Sequence, residues 1–159
     1  MQKKIVLLTI GKTSAKNIAT SIEMYLDRLK HYVSADIVYL PDIKSTASLS
    51  INQQKSREGQ QFLNYFTQGD KVILLDEKGD SMTSIKFAES IERTIVSGVK
   101  RLIYVVGGPY GFSPEMYNRA DAKLSLSAMT FPHDLVRLIF VEQLYRAMTI
   151  LRGEKYHHE

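Results

Sequence analysis

Two unbroken apolar runs, Val72-Ile73-Leu74-Leu75 and Leu102-Ile103-Tyr104-Val105-Val106, stand between stretches whose apolar residues recur at helical spacing. A strand with no polar alternate is covered on both faces, the habit of central strands in a parallel sheet. The same test along the chain predicts strands over 4–10, 36–40, 71–75, 101–106 and 123–127. Helices are predicted near 16–32, 52–66, 84–97 and 132–151. Strand and helix alternating in this way imply an α/β fold, a parallel sheet with helices on both faces. Residues 41–50 mix Asp, Lys, Ser and Thr without a period and read as a loop, with Ser50 as N-cap of the next helix.

The last helix carries apolar residues on more than one side. At about 100° per residue, His133, Asp134 and Arg137 cluster on one side of its first half. Glu142, Arg146 and Thr149 fall on the opposite side of its second half. A helix containing Leu135, Leu138, Ile139, Val141, Leu144 and Ile150 needs cover from two directions, and a two-fold contact with a second copy supplies it. A homodimer through this helix is therefore expected, with Val141 and Leu144 at the contact.

A length of 159 residues fits one domain, 1–159, with a core of its own. The absence of cysteine rules out a disulfide scaffold, a thiol nucleophile and a thiolate-bound metal, and it fits a reducing, cytoplasmic setting. Met1-Gln2-Lys3-Lys4 is a basic start, but the apolar run 5–10 is too short to span a membrane and no small-residue cleavage site follows. A formal charge of +4 admits an anionic partner without requiring one.

Candidate chemistry gathers at strand ends. Gly107-Gly108-Pro109-Tyr110-Gly111 leaves a buried strand at its carboxyl end, where open α/β sheets hold ligands. Taken alone, the pentapeptide reads more readily as an ordinary glycine turn. Leu126, Ser127, Ala128, Met129, Thr130 and Phe131 mix hydroxyl and apolar groups at a strand-to-helix junction, a composition suited to an adenine ring, and Leu75 ends a neighbouring strand. Gly11-Lys12-Thr13 imitates the end of a phosphate loop, but Val6 stands where that loop needs glycine. The four histidines have no metal-ligand spacing, so no metal site is expected. Arg137 and Arg146 have carboxylates within helical reach, Asp134 and Glu142, and simple ion pairs account for them as well as a functional role does.

The run from Leu126 to His133, then Arg137, then Glu142-Gln143-Leu144-Tyr145-Arg146-Ala147, with Gly107-Gly108-Pro109 upstream and Tyr156-His157 at the tail, resembles the SPOUT-class methyltransferases of the RlmH (YbeA) type. The resemblance covers essentially the whole chain. It implies a C-terminal trefoil knot, an exception to the rule against threaded chains, and a homodimer. The activity it implies is methylation of N3 of a pseudouridine in 23S rRNA, on a stem-loop of the assembled ribosome. S-adenosylmethionine is the implied donor, with no metal, at Leu75, Gly107, Leu126, Ser127, Ala128, Met129, Thr130 and Phe131.

N3 of a uracil-type base carries a proton at neutral pH, so a base or an anion-stabilising group is required. His157 and His133 are the candidates for the base, with Arg137 and Tyr156 beside them as further site residues. The tail after Gly153 is short and basic and is expected to fold over bound RNA, where Tyr156 stacks on a nucleobase. His158 stands where many members of the resembled family carry Arg or Lys. Two other readings fit the same residues: a SPOUT enzyme acting on a different nucleotide, and a non-enzymatic ribosome- or RNA-binding module that keeps the fold.

Overall fold

In the computed structural model, which describes residues 4–158, five strands form one sheet in the order β2-β1-β4-β3-β5, and every pairing is parallel. The elements run β1 Lys4–Ile10, α1 Lys16–Leu29, β2 Ser34–Leu40, α2 Ile51–Tyr65, β3 Asp70–Ser81, α3 Ser84–Val96, β4 Arg101–Val106, α4 Pro114–Arg119, β5 Ala122–Ser125 and α5 His133–Leu151. The basic start at Met1-Gln2-Lys3 lies outside the described residues.

Alternate side chains of the central strands feed two cores. Ile5, Leu7, Leu102, Tyr104 and Val106 face α1, α3 and α5, where Phe87 and Phe140 pack on Tyr104. The Tyr104 and Phe140 ring centroids are 4.6 Å apart, so cutting Phe140 back to Ala costs about 3–5 kcal/mol. Val6, Leu8, Val72, Leu74, Ile103 and Val105 face the other way, onto Phe62 of α2, Phe112 just before α4 and Met116 within it. Helices cover both faces, as the apolar runs require.

The helix and strand ends follow local chemistry. Ser50 caps α2 with a reciprocal box: its hydroxyl accepts from Gln53 N–H at 3.1 Å, and Gln53 Oε1 accepts from Ser50 N–H at 2.9 Å. Within the loop 41–50, a 3₁₀ turn forms at Thr46–Ser48. Helix α4, six residues long, is too short to produce a readable period and was not among the predicted helices.

Strand β3 runs six residues beyond its predicted end at Leu75. Its register against β5 shifts there, so that Leu124 pairs with both Leu75 and Asp80. Gly79 makes this possible, because a Cβ on it would lie 2.7 Å from the Lys123 carbonyl carbon. Lys78 and Asp80 are exposed, which hides this stretch from any apolar pattern.

Val141 and Leu144, expected at a subunit contact, are 1% and 3% exposed, inside the core that α5 shares with α1 and α3. The half-exposed side of α5 carries Leu135 and Ile139 instead.

Candidate active site

The middle of β3, the carboxyl end of β4 and the segment after β5 surround a cavity of about 380 Å³, within the range of small-molecule sites. Leu75, Gly107, Leu126, Ser127, Met129, Thr130 and Phe131 all line it, together with Val106 and Val136. Of the residues proposed from sequence for this pocket, Ala128 alone is not in its wall.

The loop over the cavity is pinned at three points. Ser125 donates its hydroxyl to the Ser127 carbonyl at 3.0 Å, and Ser127 Oγ accepts from Met129 N–H at 3.0 Å. Thr130 Oγ1 donates to Glu77 Oε2 at 2.9 Å, tying the loop to the middle of β3. Met129 is 75% exposed at the mouth, free to move without disturbing the core. The floor is apolar, and the rim carries carboxylates that sequence reasoning missed.

Those carboxylates are Asp76 and Glu77, directly after Leu75. Tyr117 donates its hydroxyl to Asp76 Oδ2 at 2.6 Å. Burial first, and that hydrogen bond second, push the Tyr117 phenol up to about 12, so it stays a donor. The only advance signal was position, two acids at the carboxyl end of a buried strand.

Gly107 and Gly108 occupy the wall for different reasons. A Cβ on Gly107 would meet the Phe112 ring at 3.0 Å, and one on Gly108 would collide with the Glu58 carboxylate. Gly111, at φ +84°, closes the turn as its N–H reaches the Gly108 carbonyl at 3.1 Å. An apolar floor, two bare glycines and a polar rim fit a flat heteroaromatic ring carrying a hydroxylated, cationic tail, which is the shape and charge of S-adenosylmethionine.

His133 opens α5 and lines both this cavity and a second one of about 500 Å³ across Gly107, Gly108 and Pro109. Arg137 follows one turn later, 4% exposed. Its Nη1 donates to Thr13 Oγ1 and its Nη2 to the Ile10 carbonyl, each at 3.1 Å. Burial lowers its guanidinium from the usual arginine range, against the pull of Asp134.

Asp134 is not the hydrogen-bond partner of Arg137. Its Oδ2 accepts from Ser14 N–H at 3.1 Å and Ala15 N–H at 2.9 Å, capping α1, whose own N-cap Ala15 has no oxygen to offer. The expected pair of Arg146 with Glu142 does form, at 2.7 Å.

Tyr156 and His157 sit elsewhere. Tyr156 donates to Glu142 Oε2 at 2.9 Å, and Arg146 Nη1 lies 3.1 Å from His157 Nδ1. Glu142 is nine residues past His133, hence about 14 Å further along α5 and roughly 180° around it. The tail packs against α5, and in one chain it does not meet the cavity. Leu75, Gly107, the loop after β5 and His133 come together, with Arg137 in the adjoining second cavity; Tyr156 and His157 do not join them.

Residues 3–157 match the family described as Predicted SPOUT methyltransferase. A protein of Christiangramia forsetii named Ribosomal RNA large subunit methyltransferase H is 53% identical over 154 residues, covering 97% of this chain and 98% of that one. One of the same name from Phocaeicola vulgatus is 50% identical over 156 residues, covering 98% and 99%. The crystal structure of the A. aeolicus TrmH/SpoU tRNA modifying enzyme shares the fold at 13% identity, with a TM-score of 0.51 over 96% of this chain and 78% of that one. A match spanning nearly every described residue, and relatives about half identical from end to end, lead to one conclusion: this chain belongs to the SPOUT methyltransferase family.

Proposed function

We propose that this protein transfers a methyl group from S-adenosylmethionine to N3 of a pseudouridine in 23S rRNA, presented by the assembled ribosome in the cytoplasm. The observation that carries the reading is the cavity between the middle of β3 and the carboxyl end of β4, whose walls are built from the residues that the sequence pattern singles out. The name shared by the relatives supports the RNA class of the substrate.

When bound, S-adenosylmethionine supplies an electrophilic methyl group. The chain's own task is to bind and orient. Leu75, Val106, Leu126 and Phe131 exclude water from the adenine, while Asp76 and Glu77 offer acceptors to ribose hydroxyls and favour the donor's positive charge. His133, on the wall common to both cavities, can take the N3 proton on a ring nitrogen, and Arg137 behind it stabilises the anion that remains.

The tail enters this scheme through a second copy. Leu135, Ile139, Glu142 and Arg146 share one stripe of α5, opposite the buried side, and Tyr156 and His157 rest on its polar half. A two-fold contact over that stripe would bring each tail towards the partner's cavity and cover Leu135 and Ile139. The implied trefoil knot belongs to the same reading.

Mass spectrometry of the 23S stem-loop, from ribosomes incubated with protein and S-adenosylmethionine, tests the proposal. One added methyl on the pseudouridine is expected. Methylation of another nucleotide, or cofactor binding with no methylation, overturns it.

A further inference from the structure

Among the described residues, two buried side-chain atoms have no hydrogen-bond partner, Glu58 Oε1 and Arg137 Nε. Both residues line the second cavity, on the far side of Gly107, Gly108 and Pro109 from the cofactor cavity. Neither is a surface group: Glu58 is 6% exposed and Arg137 4%. Their other polar atoms are engaged, Glu58 Oε2 by Gln54 Nε2 at 3.3 Å and the two Arg137 terminal nitrogens by Thr13 and Ile10.

An orphaned buried acceptor and an orphaned buried donor each cost stability, and folded proteins seldom keep them without a use. Two in one cavity call for one ligand, with a donor and an acceptor on neighbouring atoms. A phosphate does not qualify, because it would leave Glu58 without a donor and set negative charge beside a carboxyl group. A pyrimidine with a ring N–H next to a carbonyl, other than the N3 that must stay free to react, does qualify.

We infer that this cavity receives the target pseudouridine base, with Glu58 accepting from N1–H and Arg137 Nε–H donating to O2. The inference rests on the function proposed above and adds to it the group that distinguishes pseudouridine from uridine. In uridine, N1 carries the sugar and has no hydrogen to give. In pseudouridine the sugar is on C5, so N1–H is free, and gripping the N1–C2 edge leaves N3 to face the wall made by Gly107, Gly108, Pro109 and His133. Neither orphaned atom is open to solvent, so the base enters with a small rotation of the two side chains. A site built to hydrogen-bond one polar group rejects an analogue lacking it far better than an apolar site can.

The test compares methyl transfer to ribosomes with pseudouridine at the target and to ribosomes with uridine there, prepared from cells lacking the pseudouridine synthase. Wild-type kcat/KM should favour pseudouridine by roughly 10⁴-fold. Glu58→Met, which keeps length but removes the acceptor, should bring that ratio close to one, and Glu58→Gln, which keeps an amide oxygen, should retain much of it. An unchanged ratio in Glu58→Met, or a wild type indifferent to the two, overturns the assignment. Transfer to neither ribosome overturns the proposed function as well, so the two failures are told apart. A second measurement needs no variant: the Arg137 Nε–H resonance of the wild type should shift with 3-methylpseudouridine nucleoside, which keeps N1–H, and not with 3-methyluridine, which has no ring N–H. An equal response to both, or to inorganic phosphate alone, overturns the subsite.

Discussion

The Tyr156 hydroxyl donates to Glu142 Oε2 at 2.9 Å, and this bond holds the C-terminal tail on the opposite side of α5 from His133. Burial, then hydrogen bonds with Tyr25 and Glu142, raise the Tyr156 phenol well above its ordinary range, so it remains a donor at any physiological pH. The tail is a placed element with a fixed direction, and its role depends on where a second copy lies.

Removing residues 156–159 should therefore leave S-adenosylmethionine affinity within a few-fold, because Leu75, Gly107 and the loop after β5 keep their positions. Methyl transfer to ribosomes should fall by roughly 10²-fold or more. Mixing this truncation with a tail-intact, cofactor-deficient variant should recover activity through mixed dimers. Calorimetry and a transfer assay check all three outcomes, and full activity of the truncated protein would sink the tail's role.

The dimer itself is best tested at Ile139 and Leu135, not at the buried Val141 or Leu144. Ile139→Glu should move the mass measured by light scattering towards that of a monomer while circular dichroism stays unchanged. A charge at Val141 would instead sit in the core and unfold the chain, since an unpaired buried charge costs several kcal/mol. A wild type that is monomeric at micromolar concentration contradicts the two-fold contact.

Gly107→Ala should weaken cofactor binding by about tenfold through Phe112. The new Cβ meets that ring at 3.0 Å and drives a cavity-lining side chain out of place. Overpacking of this kind costs about 1–3 kcal/mol, so a lower melting temperature should accompany the weaker binding. Calorimetry with S-adenosylmethionine, run below the melting point, separates the two effects; unchanged affinity removes Gly107 from the site.

Glu58 should make stability depend on pH in an unusual direction. Burial pushes its carboxyl above the ordinary 4.5, more than Gln54 and His133 pull it down. A raised acid pKa contributes stability that is complete below the unfolded-state value and is lost as pH rises through the folded-state value. Glu58→Gln should then stabilise the protein at pH 7, by about 1 kcal/mol, and the gain should disappear near pH 4. Melting curves at both pH values decide it, and a variant less stable at pH 7 refutes this account of Glu58.

The amino-acid sequence by itself determined the features that depend on near neighbours. Unbroken apolar runs marked the strands, the 3.6-residue period marked four of the helices, and Ser50 with Gln53 wrote the start of α2. The site was also legible wherever one short segment carries it: Gly107 directly follows β4, and the loop 126–131 directly follows β5, so nearly all of the expected pocket residues meet in one cavity. Only the tertiary structure decided the rest, because those choices rest on contacts between residues far apart in the chain. Strand order put β5 beside β3 and drew Asp76 and Glu77 to the rim. Asp134 satisfies the bare amides of α1, 120 residues away for Ser14, which removed it from Arg137 and left Nε with no partner. Glu58 is one more acid on an amphipathic helix until α2 packs it under Gly108, where no local period could reveal that its carboxyl would be buried and half unpaired.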